Sequence, residues 1–264
     1  MNILQFCAII IGYNKRKETH MVKLIVSDVD GTLLTNGQNV LSEKVFSAIT
    51  SAVQKGIKFA IASGRSYEDL AELFAPVKDS VYFIAHDGAL TVKNGAKLFH
   101  QPMQPDVVRS LAQAYGNDIG CVAFYSKDNC YCMGKPNNYV KSKNIIPIKG
   151  LFEIKDLIYK VGIYGKARVL TTQPTSARLC ALSDGCIEYV SSVAQKGTAL
   201  SDLQMRLFMN KFDTAAIGNY LNDVKMLKNA KYSAAMASSP NEVKDASAYV
   251  VEDACEFIQK CIDM

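Results

Sequence analysis

Val22-Lys23-Leu24-Ile25-Val26-Ser27-Asp28-Val29-Asp30-Gly31-Thr32-Leu33-Leu34 is the stretch on which the fold turns. Val22 to Ser27 is a short apolar run rich in β-branched residues, the pattern of a buried strand. Side chains two apart in an extended segment point the same way. Asp28 and Asp30 therefore project together from the strand's end, where open α/β sheets bind ligands. Two close carboxylates repel, so a cation or a shared proton must make the arrangement tolerable. Gly31 frees the backbone to turn, and Thr32 offers a hydroxyl.

Taken alone, this segment has other readings. An Asx turn closing a strand has the same residues, and a glycosyltransferase D-x-D metal site stays open. An EF-hand loop is excluded because its sixth position is Leu33 and not Gly. The surrounding chain decides. Ser42 is placed to cap a helix whose Val45, Phe46, Ile49 and Val53 recur at helical spacing, with Gly56 as its stop. Phe59 to Ala62 reads as a strand, followed by a helix through Leu70, Leu73 and Phe74, then a strand from Val81 to Ala85. Strands alternating with helices predict βαβ units and a parallel sheet.

After Gly88 the pattern changes. Ala89 to Val92 and Ala96 to Phe99 flank Asn94-Gly95, a strong hairpin signal. A helix is expected over Pro105 to Tyr115, and a second hairpin over Cys121 to Tyr125 and Cys130 to Met133. Strands are expected at Ile158 to Tyr164 and Ile187 to Val190, with a helix between them near Arg178. Alternation resumes after Lys196 and continues to the C-terminus. The expected architecture is α/β: a discontinuous, doubly wound parallel-sheet core of residues 21–87 and 192–264, interrupted by an α+β domain of residues 88–191.

Three further clusters fall at expected strand ends. Ser63-Gly64-Arg65 offers a hydroxyl and free backbone N–H groups at a helix start, a natural phosphate seat; its ordinary reading is an N-cap. Lys196-Gly197-Thr198 opens a helix where the core resumes, and a Lys ammonium is a compact charge for a phosphoryl oxygen. Gly218-Asn219-Tyr220-Leu221-Asn222-Asp223 sets amides and a carboxylate where they can hold a hard cation, or simply cap a helix.

Bulk properties narrow the function classes. The net charge of +5 is scattered among 30 basic and 25 acidic residues with no long block of one sign, which favours a solvated surface over nucleic-acid binding. The eight cysteines form no C-x-x-C pair, so a zinc ribbon is not indicated and a reduced, cytoplasmic protein is the default. Asn2 to Ile11 is apolar, but its positive charges follow it and it is too short to span a bilayer as a helix. Residues 1–20 are therefore expected to lie outside the fold, without stable membrane association.

The four clusters, in this order, resemble the motifs of the haloacid dehalogenase (HAD) superfamily. The closer likeness is to its Cof-like branch, subfamily IIB, over essentially all of residues 21–264. The resemblance implies a Mg²⁺-dependent phosphatase acting on a small phosphorylated metabolite. It implies Asp28 as nucleophile and Asp30 as general acid and base, with Lys196 as the third catalytic group. Thr32, Ser63, Gly64, Lys196 and Asn222 would bind phosphate, and Asp28, Asp30, Asn219 and Asp223 would hold the metal. The inserted domain would be a cap that selects substrate. A phosphomutase or a non-catalytic phospholigand binder is the alternative. Two positions depart from the family pattern: Asn219 stands where Asp is usual, and Asp87 stands where Asn is usual. Removal of residues 1–20 is expected to leave melting temperature and activity unchanged; a loss of several degrees would show that Ile9, Ile10 and Ile11 pack on the core.

Overall fold

A computed structural model describes residues 21–35, 38–116, 120–140, 142–172 and 174–264. The expectation for residues 1–20 lies outside the described residues. The first sheet begins with β1 (Leu24–Asp28), helix α1 (Glu43–Gln54), β2 (Lys58–Ala62), α2 (Tyr67–Leu73) and β3 (Val81–Ala85). A hairpin of β4 (Leu90–Lys93) and β5 (Ala96–His100) follows, then α3 (Pro105–Tyr115). The middle of the chain supplies β6 (Gly120–Tyr125), β7 (Cys130–Gly134), β8 (Ile145–Ile148), β9 (Lys160–Gly165), β10 (Ala177–Ser183) and β11 (Cys186–Ser191). The chain closes with α4 (Lys196–Arg206), β12 (Thr214–Gly218), α5 (Val224–Lys228), β13 (Tyr232–Met236), α6 (Asn241–Asp245), β14 (Tyr249–Val251) and α7 (Ala254–Ile262).

Eight strands form the first sheet, in the order β14-β13-β12-β1-β2-β3-β4-β5. The six from β14 to β3 run parallel, and the β4–β5 hairpin adds antiparallel strands to the edge. Period-two alternation sorts the strand residues onto two faces. Ile25, Phe59, Ile61, Phe83 and Ile217 pack with Val45 and Ile49 of α1 and with Phe257 and Ile258 of α7. Leu24, Val26, Ala60, Ile84 and Ala216 pack on the other face with Leu200 and Leu203 of α4 and with Met226 and Leu227 of α5. Both faces are covered, which is why these strands read as unbroken apolar runs. Parallel strands all end on one side, so Asp28, Ser63, Asp87 and Asn219 gather at one edge of the sheet.

The second sheet, of order β10-β11-β9-β6-β7-β8, is antiparallel apart from the β7–β8 pair. Helix α3 covers one face of it through Val108 and Leu111.

Two expectations are corrected. The hairpin after Gly88 was expected to open the insertion, but β4 pairs with β3 and extends the first sheet. The first-sheet strands therefore continue to His100, and the second sheet begins at Gly120. The helix expected near Arg178 is strand β10, paired with β11 around a two-residue turn at Asp184-Gly185. Ala, Arg and Leu in Ala177 to Leu182 are good helix formers, but an Asp-Gly turn favours a hairpin, and pairing overrides the propensity. Gly185 has φ +72, and a Cβ there would make only ordinary contacts, the nearest at 3.4 Å from Tyr139. Gly185→Ala is expected to destabilise by about 1–2 kcal/mol, the cost of a left-handed non-glycine residue. Urea denaturation checks this; no loss would mean that the turn relaxes into another conformation.

Candidate active site

The centre of the site is an ammonium between two buried carboxylates. Lys196, at the first position of α4, donates to Asp28 Oδ1 at 2.6 Å and to Asp223 Oδ1 at 2.7 Å. All three side chains are buried. Asp28 Oδ2 accepts from the Thr32 hydroxyl at 2.9 Å. Asp223 Oδ2 accepts from the backbone N–H groups of Asn219 and Tyr220 at 2.9 and 3.1 Å, which folds the loop after β12 around the carboxylate. Gly218 lets Asp223 approach, since a Cβ there would lie 2.6 Å from its carboxyl carbon.

One ammonium does not balance two buried carboxylates. Burial, and then the charge of Asp223, push the Asp28 carboxyl up to about 7 despite the neighbouring ammonium. For Lys196, burial opposes the charged form, but the charges of Asp223 and Asp28 outweigh it and hold the ammonium protonated. The site is short of positive charge, and its side-chain donors are all oxygen. Asn219 lies against the first motif: a Cβ on Gly31 (φ +84) would fall 2.0 Å from its amide nitrogen. Among the described residues no three His, Cys, Asp or Glu side chains form a self-sufficient metal cage. This donor set fits Mg²⁺, which takes one or two carboxylates and fills its other positions with water and phosphate oxygens.

The remaining residues singled out in the sequence lie around this centre. Ser63 is buried at the end of β2, and its Oγ accepts from the Arg65 N–H at 3.2 Å. Asp30 is held in a two-pronged pair with Arg65, whose Nη2 and Nε reach its carboxylate at 2.7 and 2.9 Å. Asn222 donates to Asp87 Oδ1 at 2.8 Å.

Sequence reading missed several partners. Arg65 was visible in the Ser63-Gly64-Arg65 signal, but its pairing with Asp30 was not. Asp87, singled out in the sequence only for standing where Asn is usual, is buried and takes Arg178 Nη2 of β10 at 2.6 Å, while the same nitrogen reaches the Ala194 carbonyl. His86 and Asp87 both have left-handed backbones, φ 49 and 57. That turn directs Asp87 inward and buries His86, whose imidazole stacks on Tyr159 at 6.0 Å and is pushed down to about 3, mainly by burial.

A third missed group comes from the second sheet. Lys160 of β9 reaches both Glu188 oxygens of β11 at 2.9 and 3.0 Å, lies 4.6 Å above the Tyr125 ring, and touches the Gly64 carbonyl at 3.3 Å. Burial opposes its charge, but Glu188 outweighs that and the ammonium is held protonated. Asp30, Arg65, Asp69, Tyr125, Tyr139, Lys160 and Glu188 line a cavity of about 280 Å³ between the two sheets.

Known proteins resemble this chain in sequence and in fold. The profile of the haloacid dehalogenase-like hydrolases matches residues 25–256. The 5-amino-6-(5-phospho-D-ribitylamino)uracil phosphatase YbjI of Escherichia coli is 24% identical over 248 residues, covering 86% of this chain and 90% of its own. A solved structure from Eubacterium rectale superposes with a TM-score of 0.80 at 23% identity, covering 92% of this chain and 99% of its own. That of the HAD subclass IIB sugar phosphatase BT4131 superposes with a TM-score of 0.70 at 19% identity, covering 89% and 95%. The chain belongs to the haloacid dehalogenase-like hydrolase family.

Proposed function

We propose that this hydrolase is a Mg²⁺-dependent phosphatase that cleaves small phosphomonoesters through an aspartyl phosphate on Asp28. The observation that carries the reading is the buried Asp28 carboxylate at the end of β1, held by Lys196 and Thr32. In the first step a carboxylate oxygen of Asp28 bonds to phosphorus, and the bond from phosphorus to the ester oxygen breaks. Asp30 gives its proton to the leaving oxygen. In the second step Asp30 takes a proton from water, which attacks the same phosphorus; inorganic phosphate leaves and the Asp28 carboxylate is restored. Splitting one displacement into two is the benefit of a carboxylate nucleophile. Lys196, Ser63 and the backbone at Gly64 receive phosphoryl oxygens, and Thr32 orients Asp28.

Mg²⁺ would be held by Asp28, the Asp30 backbone carbonyl, Asp223 and Asn219, and when bound it neutralises charge on the phosphoryl group. Arg65 keeps Asp30 aligned between turnovers, so protonation of Asp30 requires that pair to loosen. The second sheet serves as a cap over the site, touching it through Lys160 and Arg178.

Asp28→Asn is expected to abolish turnover while the protein stays folded; activity near the wild-type level would sink the mechanism. A carboxyl held above its ordinary value binds its proton more tightly in the folded chain than in the unfolded one. Its contribution to stability is therefore lost as pH rises through about 7. In metal-free buffer the melting temperature of wild type is expected to fall relative to Asp28→Asn between pH 5 and pH 8; parallel curves would show that Lys196 already keeps Asp28 ionised.

Asp30→Asn is expected to slow alkyl phosphates by about 10²–10⁴-fold, the usual worth of a general acid, and p-nitrophenyl phosphate by much less. Equal losses on both esters would remove Asp30 from that role. Asn219→Asp adds a full charge near the metal donors, and half-saturation by Mg²⁺ is expected at roughly tenfold lower concentration. An unchanged Mg²⁺ dependence would show that Asn219 does not contact the ion.

A further inference from the structure

The loop after β2 carries three consecutive carbonyls with three different partners, and the middle partner comes from the second sheet. The Ser63 carbonyl accepts from the Asp87 N–H and the Arg65 carbonyl from the His86 N–H, both at 2.9 Å, so the turn after β3 fixes each of them. The Gly64 carbonyl between them accepts from Lys160 Nζ of β9 at 3.3 Å. A Cβ on Gly64 would meet nothing within 4 Å, so side-chain packing does not hold this peptide, and glycine is the residue freest to turn. Lys160 is well placed to hold it. Its own side chain is buried, bonded to both oxygens of Glu188 at 2.9 and 3.0 Å and set 4.6 Å above the Tyr125 ring.

The peptide that Lys160 grips is the one whose N–H belongs to Arg65. In a planar trans peptide the carbonyl and the N–H point opposite ways. A Gly64 carbonyl drawn toward the second sheet therefore presents the Arg65 N–H to the other side, where Ser63 Oγ accepts it at 3.2 Å. A hydroxyl whose oxygen accepts in this way keeps its own hydrogen for another acceptor. In the phosphatase reading that acceptor is a phosphoryl oxygen.

We propose that Lys160 is a positioning residue for phosphate binding: from the second sheet it sets the Gly64–Arg65 peptide, and through that peptide the Ser63 hydroxyl. The step rests on the phosphatase reading. Lys160 acts through Ser63 and not on the substrate itself. The phosphate seat is then shared between the two sheets, and it is complete only while the second sheet is docked on the loop.

The test is a double-mutant cycle. Lys160→Met keeps the stem and removes the ammonium. It is expected to lower kcat/KM by about tenfold, the lower end of what a hydrogen bond to a charged group is worth. Glycerol 3-phosphate and p-nitrophenyl phosphate should lose equally, because the phosphoryl oxygens are common to both. Lys160→Arg is expected to recover most of the loss. In a Ser63→Ala background, Lys160→Met is expected to cost little more, since residues that act as one unit are not additive. A merely structural role would give losses that multiply. That outcome would overturn the proposal, as would an unchanged kcat/KM or a loss confined to one ester. If Lys160→Met does not fold, Lys160→Met with Glu188→Gln removes both charges and takes its place in the cycle. Absence of p-nitrophenyl phosphate hydrolysis by wild type would sink the phosphatase reading alone. The same cycle read on the dissociation constant of inorganic phosphate, by calorimetry, then decides the role of Lys160, and no phosphate binding by wild type would overturn both.

Discussion

The contact between Lys196 and the carboxylates of Asp28 and Asp223 is the constraint around which the rest of the site is arranged. Its three members come from β1, the start of α4 and the loop after β12, so it ties the two halves of the discontinuous sheet together. Taking such charges out of water costs several kcal/mol per ion unless hydrogen bonds occupy the remaining positions. Here they do: the Thr32 hydroxyl serves Asp28, and two backbone N–H groups serve Asp223. Breaking any one of these contacts leaves a buried charge behind. The backbone around the site is accordingly shaped by its needs, with glycine at 31 and 218 where a side chain would collide with Asn219 or Asp223.

The same logic extends outward in pairs. Arg65 with Asp30, Arg178 with Asp87 and Lys160 with Glu188 form a ring around the central contact. Arg178 with Asp87 joins the second sheet to the first, and Lys160, held by Glu188 within the second sheet, reaches the Gly64 carbonyl of the first. Asp87 shows why the departure from the family's usual Asn is tolerated: its extra charge is matched by Arg178 and its other oxygen by Asn222.

What the sequence revealed and what it hid follow from range. Asp28, Asp30 and Thr32 sit within five residues, and the chemistry of that spacing is local; the parallel sheet is legible because strands buried on both faces are continuously apolar. Strand β10 was hidden because Arg178 and its neighbours favour a helix, and only the Asp184-Gly185 turn points the other way. The β4–β5 hairpin was legible as a hairpin, but nothing local says which sheet it joins; that is decided by the open edge of β3. Arg65 with Asp30, and Lys160 with Glu188, join residues 35 and 28 positions apart. Any of several charges matches such a partner on paper, and only folding selects one.

The placement of β12 beside β1 also governs when the first sheet can be completed. Leu24 pairs with Thr214, so the central strand of the first sheet waits for a neighbour synthesised near the end of the chain. Contacts this distant in sequence slow folding, because loop closure precedes any reward. On the ribosome, β1 to β5 emerge first with one flank of β1 open, and an unpaired apolar strand edge is an aggregation hazard. The second sheet draws only on neighbouring strands from β6 to β11 and is free to complete itself in that interval. Lys196 can meet Asp28 only once the last third of the protein has left the tunnel.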